Sequence, residues 1–509
     1  MSYCRILSRA SFGIEAPLVA VEIHLSNGLP ALNIVGLANA EVKESRERVR
    51  SAIINSGFEF PARRITINLA PADLPKSGGR FDLAIAMGIL IASEQLDSRC
   101  AREQEFLAEL GLNGELKPVT GVLISAHSAK LNERAIWVAT DNAQEAALSG
   151  SAKILTARSL KELVDTILME PTSYYQAETR QASTLEYQCL SRVYGNEHAK
   201  FALALTACGG HNLLMIGTPG SGKTMLANCL PSILPELSRE QAFAVAALES
   251  VSLNGFNEQH WNTIRIRRPH HSCTQVAMTG GGKMPTPGEI SLAHHGILFL
   301  DELPHFGKAV LESLRQPLED KQLTISRSGW KVTFPAHFQL IAAMNPCACG
   351  YMTSRKTACR CSEPRLKSYL EKLSGPLLDR IDIQVMVNET DHSILEMKAT
   401  SNIKSTDYRI KVDSLRRKQR QRQGCLNADL SADDIQTVKP LTKNAKKVFI
   451  SATAQFNLSM RSQQKALRIA LTISDWNEQS SITESTLSQA LSFRAFDQIH
   501  NRLAKGFLK

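Results

Sequence analysis

Gly217-Thr218-Pro219-Gly220-Ser221-Gly222-Lys223-Thr224 follows the apolar run NLLMI at residues 212–216 and precedes the helix-like MLANCL at 225–230. The order G-x-x-x-x-G-K-T has a physical logic. Its glycines let successive backbone N–H groups wrap phosphate oxygens, Lys223 adds a point charge, and the Thr224 hydroxyl can hold Mg²⁺. A helix starting directly behind the loop turns its positive end toward the same phosphates. A strand, a phosphate loop and a helix in that order predict a parallel α/β core.

The second piece of such a site is Ile297-Leu298-Phe299-Leu300-Asp301-Glu302, an apolar strand ending in two carboxylates. On its own the pair reads equally well as a surface turn. Beside a phosphate loop, Asp301 is suited to hold hydrated Mg²⁺ and Glu302 to orient and polarise an attacking water. The strand-like FQLIAAMN ends in Asn345, a neutral amide suited to positioning water near a γ-phosphate. Arg380 is the candidate arginine finger, a cation supplied in trans by the next copy of a ring. Arg468, with Arg461 as the competing choice, is the candidate for reaching the phosphates from a lid.

The chain has 509 residues, so roughly 150 residues per domain predicts about three domains. Residues 1–170 alternate short β-rich runs with helical stretches and read as one α/β domain. Residues 171–184, PTSYYQAETRQAST, lack an apolar period and read as a linker. Residues 185–387 carry buried-strand runs, and 388–509 read as helix after helix. No run approaches the ~18–20 apolar residues of a membrane span, and the start has no basic-then-apolar leader, so the expected compartment is the cytoplasm. With 59 Lys and Arg against 49 Asp and Glu, the net charge of +10 favours a polyanionic partner. Eleven cysteines in such a chain argue for metal or free thiols over a disulfide framework.

Four of those cysteines, Cys347, Cys349, Cys359 and Cys361, form C-x-C-x9-C-x-C. Four thiolates suit a closed tetrahedral Zn²⁺ site, although C-x-x-C is the commoner spacing and a loop of reduced thiols is the alternative. Between and beside them stand Tyr351, Arg355, Lys356 and Arg360, an aromatic and three cations able to meet a phosphate backbone. Arg416-Arg417-Lys418-Gln419-Arg420-Gln421-Arg422 is the densest basic run and reads as a nucleic-acid footprint or a solvated helix face. The pairs His270-His271 and His294-His295 lack helical i, i+4 spacing and read as packing or loop residues.

Together GTPGSGKT, the stretch from Arg267 to Phe306, LRQPLEDKQLTISR, AAMNPCACG, LSGPLLDRID and MRSQQKALRIAL resemble the AAA+ ATPases of the magnesium-chelatase-like group, in particular the ComM/YifB family. The resemblance spans essentially the whole chain. It implies a first domain similar to the proteolytic domain of Lon-type proteases, an ATPase core and a helical lid. It further implies ATP and Mg²⁺ as ligands, a homo-oligomer of six copies, and a helicase that drives branch migration of DNA in natural transformation and homologous recombination, with no membrane role. Lon-type proteases use a Ser–Lys dyad; here the corresponding stretches read Pro75-Lys76-Ser77-Gly78-Gly79-Arg80 and Pro118-Val119-Thr120-Gly121-Val122-Leu123. Leucine stands in place of the lysine, so the expectation is a scaffold without its dyad, with Lys76 and Ser77 as turn residues. In helicase relatives a hairpin placed like residues 323–334 points into the ring's pore, which makes Arg327, Trp330 and Lys331 candidate DNA contacts. The segment with Arg265, Arg267, Arg268 and Gly280 to Gly282 is the other pore-loop candidate. The rival readings are a chelatase motor, an ATP-dependent protease, and a DNA-binding scaffold whose ATP site controls assembly.

Overall fold

The computed structural model describes residues 3–36, 40–150, 153–169, 173–176, 187–282, 285–327, 330–389 and 404–496. The first part of the chain contributes strands β1 (Tyr3–Arg9), β2 (Leu18–Ser26), β3 (Ala31–Val35), β4 (Arg64–Ala70), β5 (Gln104–Leu107), β6 (Ala135–Ala139) and β7 (Ile154–Ala157). They form one sheet in the order β3-β4-β2-β1-β5-β6-β7, antiparallel at β4-β2 and β2-β1 and parallel elsewhere. The helix Asp82–Ala92 is buried along its whole length, which explains why its sequence carries no polar stripe. Arg9 and Glu105 pair at 2.6 Å inside this sheet, and each lies almost wholly out of solvent.

Residues 75–80 and 118–123 meet in the fold. Arg80 bridges them, its guanidinium donating to the Thr120 carbonyl at 2.5 Å, while Leu123 is fully buried. Lys76 departs from its expected place as a turn residue: it is fully buried, its ammonium donates to the Pro71 carbonyl, and burial holds it below the usual lysine range. Ser77 beside it is half-buried.

The second sheet is built from β8 (Leu213–Gly217), β9 (Ile266–Arg267), β10 (Ile297–Leu300), β13 (Gln339–Met344) and β14 (Ile383–Val387), all parallel, in the order β9-β10-β13-β8-β14. Between β10 and β13 runs the hairpin of β11 (Gln322–Arg327) and β12 (Trp330–Pro335), whose last described pair is Arg327 opposite Trp330. Strands β8, β10 and β13 are apolar and covered on both faces, as a central parallel sheet requires. Of the expected linker, only 173–176 is described, and there Tyr175 N–H bonds the Ile154 carbonyl at 2.8 Å. The rest of it lies outside the described residues, as do 390–403 at the start of the helical part.

The helices Ser405–Gln423, Lys443–Gln455, Met460–Trp476 and Glu484–Ser492 follow. Thr442, Ser459 and Thr483 cap the last three, each side chain accepting from an N–H three residues on. Tertiary partners account for much of the basic run. Arg416 donates to the Ala207 carbonyl at 2.6 Å, Arg422 pairs with Asp475 at 2.8 Å, and Arg417 with Asp413 at 2.6 Å. Arg416 ties the helical part to the core and Arg422 joins two of its helices, while Arg417, Lys418 and Arg420 are exposed, as the solvated-face reading of the run has it.

The segment from Arg265 is likewise tied down. Arg265 pairs with Glu249, Arg267 makes a bidentate pair with Glu289 at 2.6 and 2.7 Å, and Arg268 donates to Asn228. Arg265 and Arg267 are thus held by carboxylates, whereas Arg268, on a neutral amide, is exposed. The hairpin's Ile325, Val332 and Phe334 are buried in a cluster with Phe12, Ile14 and Leu248, so its base rests on the first domain. Lys331 is exposed, whereas Ser328, Gly329 and the side chains of Arg327 and Trp330 lie outside the described residues.

Candidate functional site

Every strand of the second sheet runs the same way, so the segments leaving β8, β10 and β13 emerge at one edge, where ligands of open α/β sheets bind. Residues 217–224 leave β8, Asp301 and Glu302 leave β10, and Asn345 leaves β13. Gly220 and Gly222 take φ of +77° and +92°, the left-handed conformations that curl the loop, and the helix Lys223–Ile233 begins at once behind them. Lys223 folds back into the loop, donating to the Gly217 carbonyl at 2.7 Å, the Thr218 carbonyl at 2.8 Å and Asn345 Oδ1 at 3.2 Å. Burial holds its ammonium below the usual lysine range, while Asp301 and Glu302 work the other way. The hydroxyls of Thr218 and Ser221 are buried without a hydrogen-bond partner. A loop with unmet hydroxyls, curled backbone and a buried ammonium fits a polyphosphate, and Pro219 forms its outer wall.

Thr224 Oγ1 donates to Asp301 Oδ2 at 2.8 Å. Adjacent ligands of an octahedral Mg²⁺, with Mg–O near 2.1 Å, stand about 3 Å apart, so the two oxygens fit neighbouring coordination positions. Glu302 has φ of +53°, a left-handed turn that swings its carboxylate away from Asp301, and its Oε2 lies 3.6 Å from His271 Nδ1. His271 is a loop residue, as expected, but it also faces the water-orienting candidate, its ring tilted against that of His270 with centroids 4.2 Å apart. Its neighbour in sequence gave no signal, because the pairing comes from two loops that meet only in the fold. Tyr369 is a second residue the sequence did not announce: its hydroxyl donates to the Asn345 carbonyl at 3.1 Å.

The four cysteines converge. Cys347 and Cys349 sulfurs stand 3.4 Å apart, Cys347 and Cys359 3.7 Å, Cys349 and Cys359 3.5 Å, and all four lie within 4.8 Å of one another. Tetrahedral thiolates at Zn–S near 2.3 Å are separated by about 3.8 Å, so the set fits Zn²⁺. The cluster leans on the phosphate loop: a Cβ at Gly350 would sit 2.7 Å from Pro219 Cδ, at φ of +88°. Arg355, Lys356 and Arg360 are exposed on its outer side.

Arg380 and Arg468 are not with these residues. Arg380 precedes β14, whose first residue pairs with Leu213 at the start of β8, so it lies at the opposite end of the sheet from Lys223. Five strand residues at ~3.3 Å each put about 15 Å of sheet between them. There Arg380, Arg461, Lys465 and Arg468 line a cavity of about 420 Å³ together with Glu319 and Asp429. Arg380 pairs with Glu319 at 2.6 Å, as does Arg461 at 2.9 Å, and Arg468 donates to the Leu430 carbonyl at 2.7 Å.

Comparison with known proteins agrees with this geometry. The family described as magnesium chelatase, subunit ChlI, matches residues 189–395, with further ChlI matches at 21–142 and, for its C-terminal part, 402–494. The competence protein ComM of Haemophilus influenzae is 42% identical over 99% of this chain and 100% of its own. The uncharacterized protein YifB of Salmonella typhimurium is 43% identical over 99% of both. The magnesium-chelatase 38 kDa subunit of Cereibacter sphaeroides is 25% identical over 31% of this chain and 52% of its own. A phosphate loop, a carboxylate pair and an amide at one edge of a five-stranded parallel sheet, followed by helices and matched end to end, place this chain in the ComM/YifB family of magnesium-chelatase-like AAA+ ATPases.

Proposed function

We propose that the chain hydrolyses ATP as a ring of copies, six in number, and uses the cycle to move DNA in helicase or branch-migration reactions of transformation and recombination. One observation carries the ring reading: the residues for binding and attack lie at one end of the sheet and Arg380 and Arg468 at the other. A single copy cannot bring both ends to one nucleotide, but a head-to-tail neighbour can, and such contacts close into rings. Lys223, Gly217, Thr218, Pro219, Gly220, Ser221 and Gly222 hold the phosphates. Thr224 and Asp301 hold Mg²⁺, which neutralises phosphate charge when bound. Glu302 orients and polarises the attacking water, Asn345 positions water near the γ-phosphate, and the neighbour's copies of Arg380 and Arg468 stabilise the charge that develops. Both arginines leave their present carboxylate and carbonyl partners to do so.

Cys347, Cys349, Cys359 and Cys361 hold Zn²⁺, which staples the loop bearing Arg355, Lys356 and Arg360 against DNA. Lys331, with Arg327 and Trp330, supplies the second contact. The name competence protein for the H. influenzae relative and the net charge of +10 support DNA as the partner. The chain's similarity to a chelatase subunit favours one alternative, a motor acting on a protein partner. ATP turnover measured alone, with single-stranded DNA, with a branched junction and with casein separates them. Stimulation by DNA alone supports the DNA motor; indifference to DNA removes it.

A further inference from the structure

His211 and Asn212 stand immediately before β8, the strand that delivers the phosphate loop, and each reaches toward one of the two distant arginines. Asn212 Nδ2 donates to the Arg380 carbonyl at 2.9 Å, and its backbone N–H donates to Asp382 Oδ2 at 3.1 Å. In return the N–H groups of Asp382 and Ile383 donate to the Asn212 carbonyl at 3.2 and 3.0 Å. His211, with no exposed surface, reaches the helix Met460–Trp476, where its Nε2 is 2.8 Å from Thr472 Oγ1. Thr472 in turn donates to the carbonyl of Arg468, one turn earlier, at 3.0 Å.

The direction of the histidine bond follows from counting. Thr472 has one hydroxyl hydrogen, used on the Arg468 carbonyl, and its oxygen accepts from Asn427 Nδ2 at 3.1 Å. Its second lone pair is what remains for His211, so Nε2–H donates. The other ring nitrogen faces Asp382 Oδ2 at 3.5 Å. Burial works to raise the Asp382 carboxyl, but the neighbouring His211 ring, Lys465 and the Asn212 N–H hold it below the usual range. Lys465 completes the brace by donating to the carbonyls of Leu378 and Ile381, both at 3.1 Å, which flank Arg380. The imidazole and the Thr472 hydroxyl lie close against Gly209, where a Cβ would meet Nε2 at 2.4 Å and Oγ1 at 2.7 Å.

We propose that His211 and Asn212 are positioning residues that lock Arg380 and Arg468 to the strand carrying the phosphate loop. The nucleotide state of one copy then moves, through β8 as a rigid rod, the two arginines that this copy lends to its neighbour. The proposal rests on the trans reading of those arginines and adds the route by which neighbouring sites are coupled. Buried polar chains of this kind favour discrete arrangements, which is what coupling between sites requires.

The test uses full-length protein with Thr472→Val, which keeps the shape and removes the hydroxyl, and with His211→Gln. Each is compared with the parent for affinity toward a non-hydrolysable ATP analogue, for ATP turnover against concentration, and for poisoning by increasing shares of Glu302→Gln copies. The expected result is analogue affinity within about twofold of the parent, kcat lower by about fivefold or more, and poisoning that becomes proportional to the share of dead copies where the parent's is steeper. Arg380→Ala is the control for the underlying reading: unchanged turnover in that variant overturns the trans arginine itself. If Arg380→Ala abolishes turnover while both Thr472→Val and His211→Gln keep the parent's kcat and poisoning curve, the coupling route is overturned and the trans arginine stands. A fall in analogue affinity equal to the fall in kcat in both variants also overturns it, because that is the mark of a structural role.

Discussion

Lys223 has a double position in the site: it is the charge proposed to meet phosphate, and its ammonium bonds two loop carbonyls and Asn345. Lys223→Ala is therefore expected to weaken ATP binding by about tenfold or more, measured by titration of a fluorescent analogue. Glu302→Gln keeps the shape and removes the charge proposed to polarise water, so binding is expected to persist and turnover to fall by about a hundredfold. Wild-type hydrolysis in that variant would mean that another group orients the water. Gly350 is the less obvious position. A methyl group there meets Pro219 in a left-handed backbone conformation, and Gly350→Ala should cost about 1–2 kcal/mol of stability and raise the KM for ATP. A variant that melts like the parent and binds ATP equally well would show that the cysteine loop does not brace the phosphate loop.

Among the elements, the cysteine loop makes the sharpest claim. One zinc per chain is expected by elemental analysis, with Cys347→Ser losing the metal, lowering the melting temperature and weakening ATP binding through Asn345, two residues upstream. Loss of the cysteine with no change in metal content would contradict the assignment. The segment around His294 makes a claim about pH. Burial pushes His294 down to about 3 and His295 to about 4, aided by the neighbouring His337, so both stay neutral in the folded chain. Below the ordinary histidine value of ~6.5 the unfolded chain takes up protons that the folded chain refuses, so this contribution is full above that pH and is lost as pH falls toward 4 and then 3. His295→Gln should flatten the fall in melting temperature across that window, and a curve superimposable on the parent's would contradict it.

For the whole molecule, the chain displays its chemistry locally and hides its geometry. The loop from Gly217 to Thr224, the strand ending in Asp301-Glu302 and the four cysteines were legible because each is a short backbone device whose meaning lies in adjacent residues. The placement of Arg380 and Arg468 was not legible, since it depends on strand direction and order, which only the assembled sheet fixes. The same holds for Arg416 and Arg422, whose partners come from 209 and 53 residues away, and for His271, which meets Glu302 across two loops. The hairpin's alternating pattern announced a strand pair but not that Val332 and Phe334 would rest on the first domain.

Separated ends of one sheet lead to one central claim, that each ATP is hydrolysed between two copies. The most direct test mixes two dead proteins, Lys223→Ala and Arg380→Ala, and measures ATP turnover of the mixture against each alone. An intact phosphate loop from one copy then meets an intact arginine from the other at some interfaces, so the mixture is predicted to regain a measurable fraction of parental turnover. A mixture as inactive as its components, under conditions where the two variants assemble together, would contradict the account.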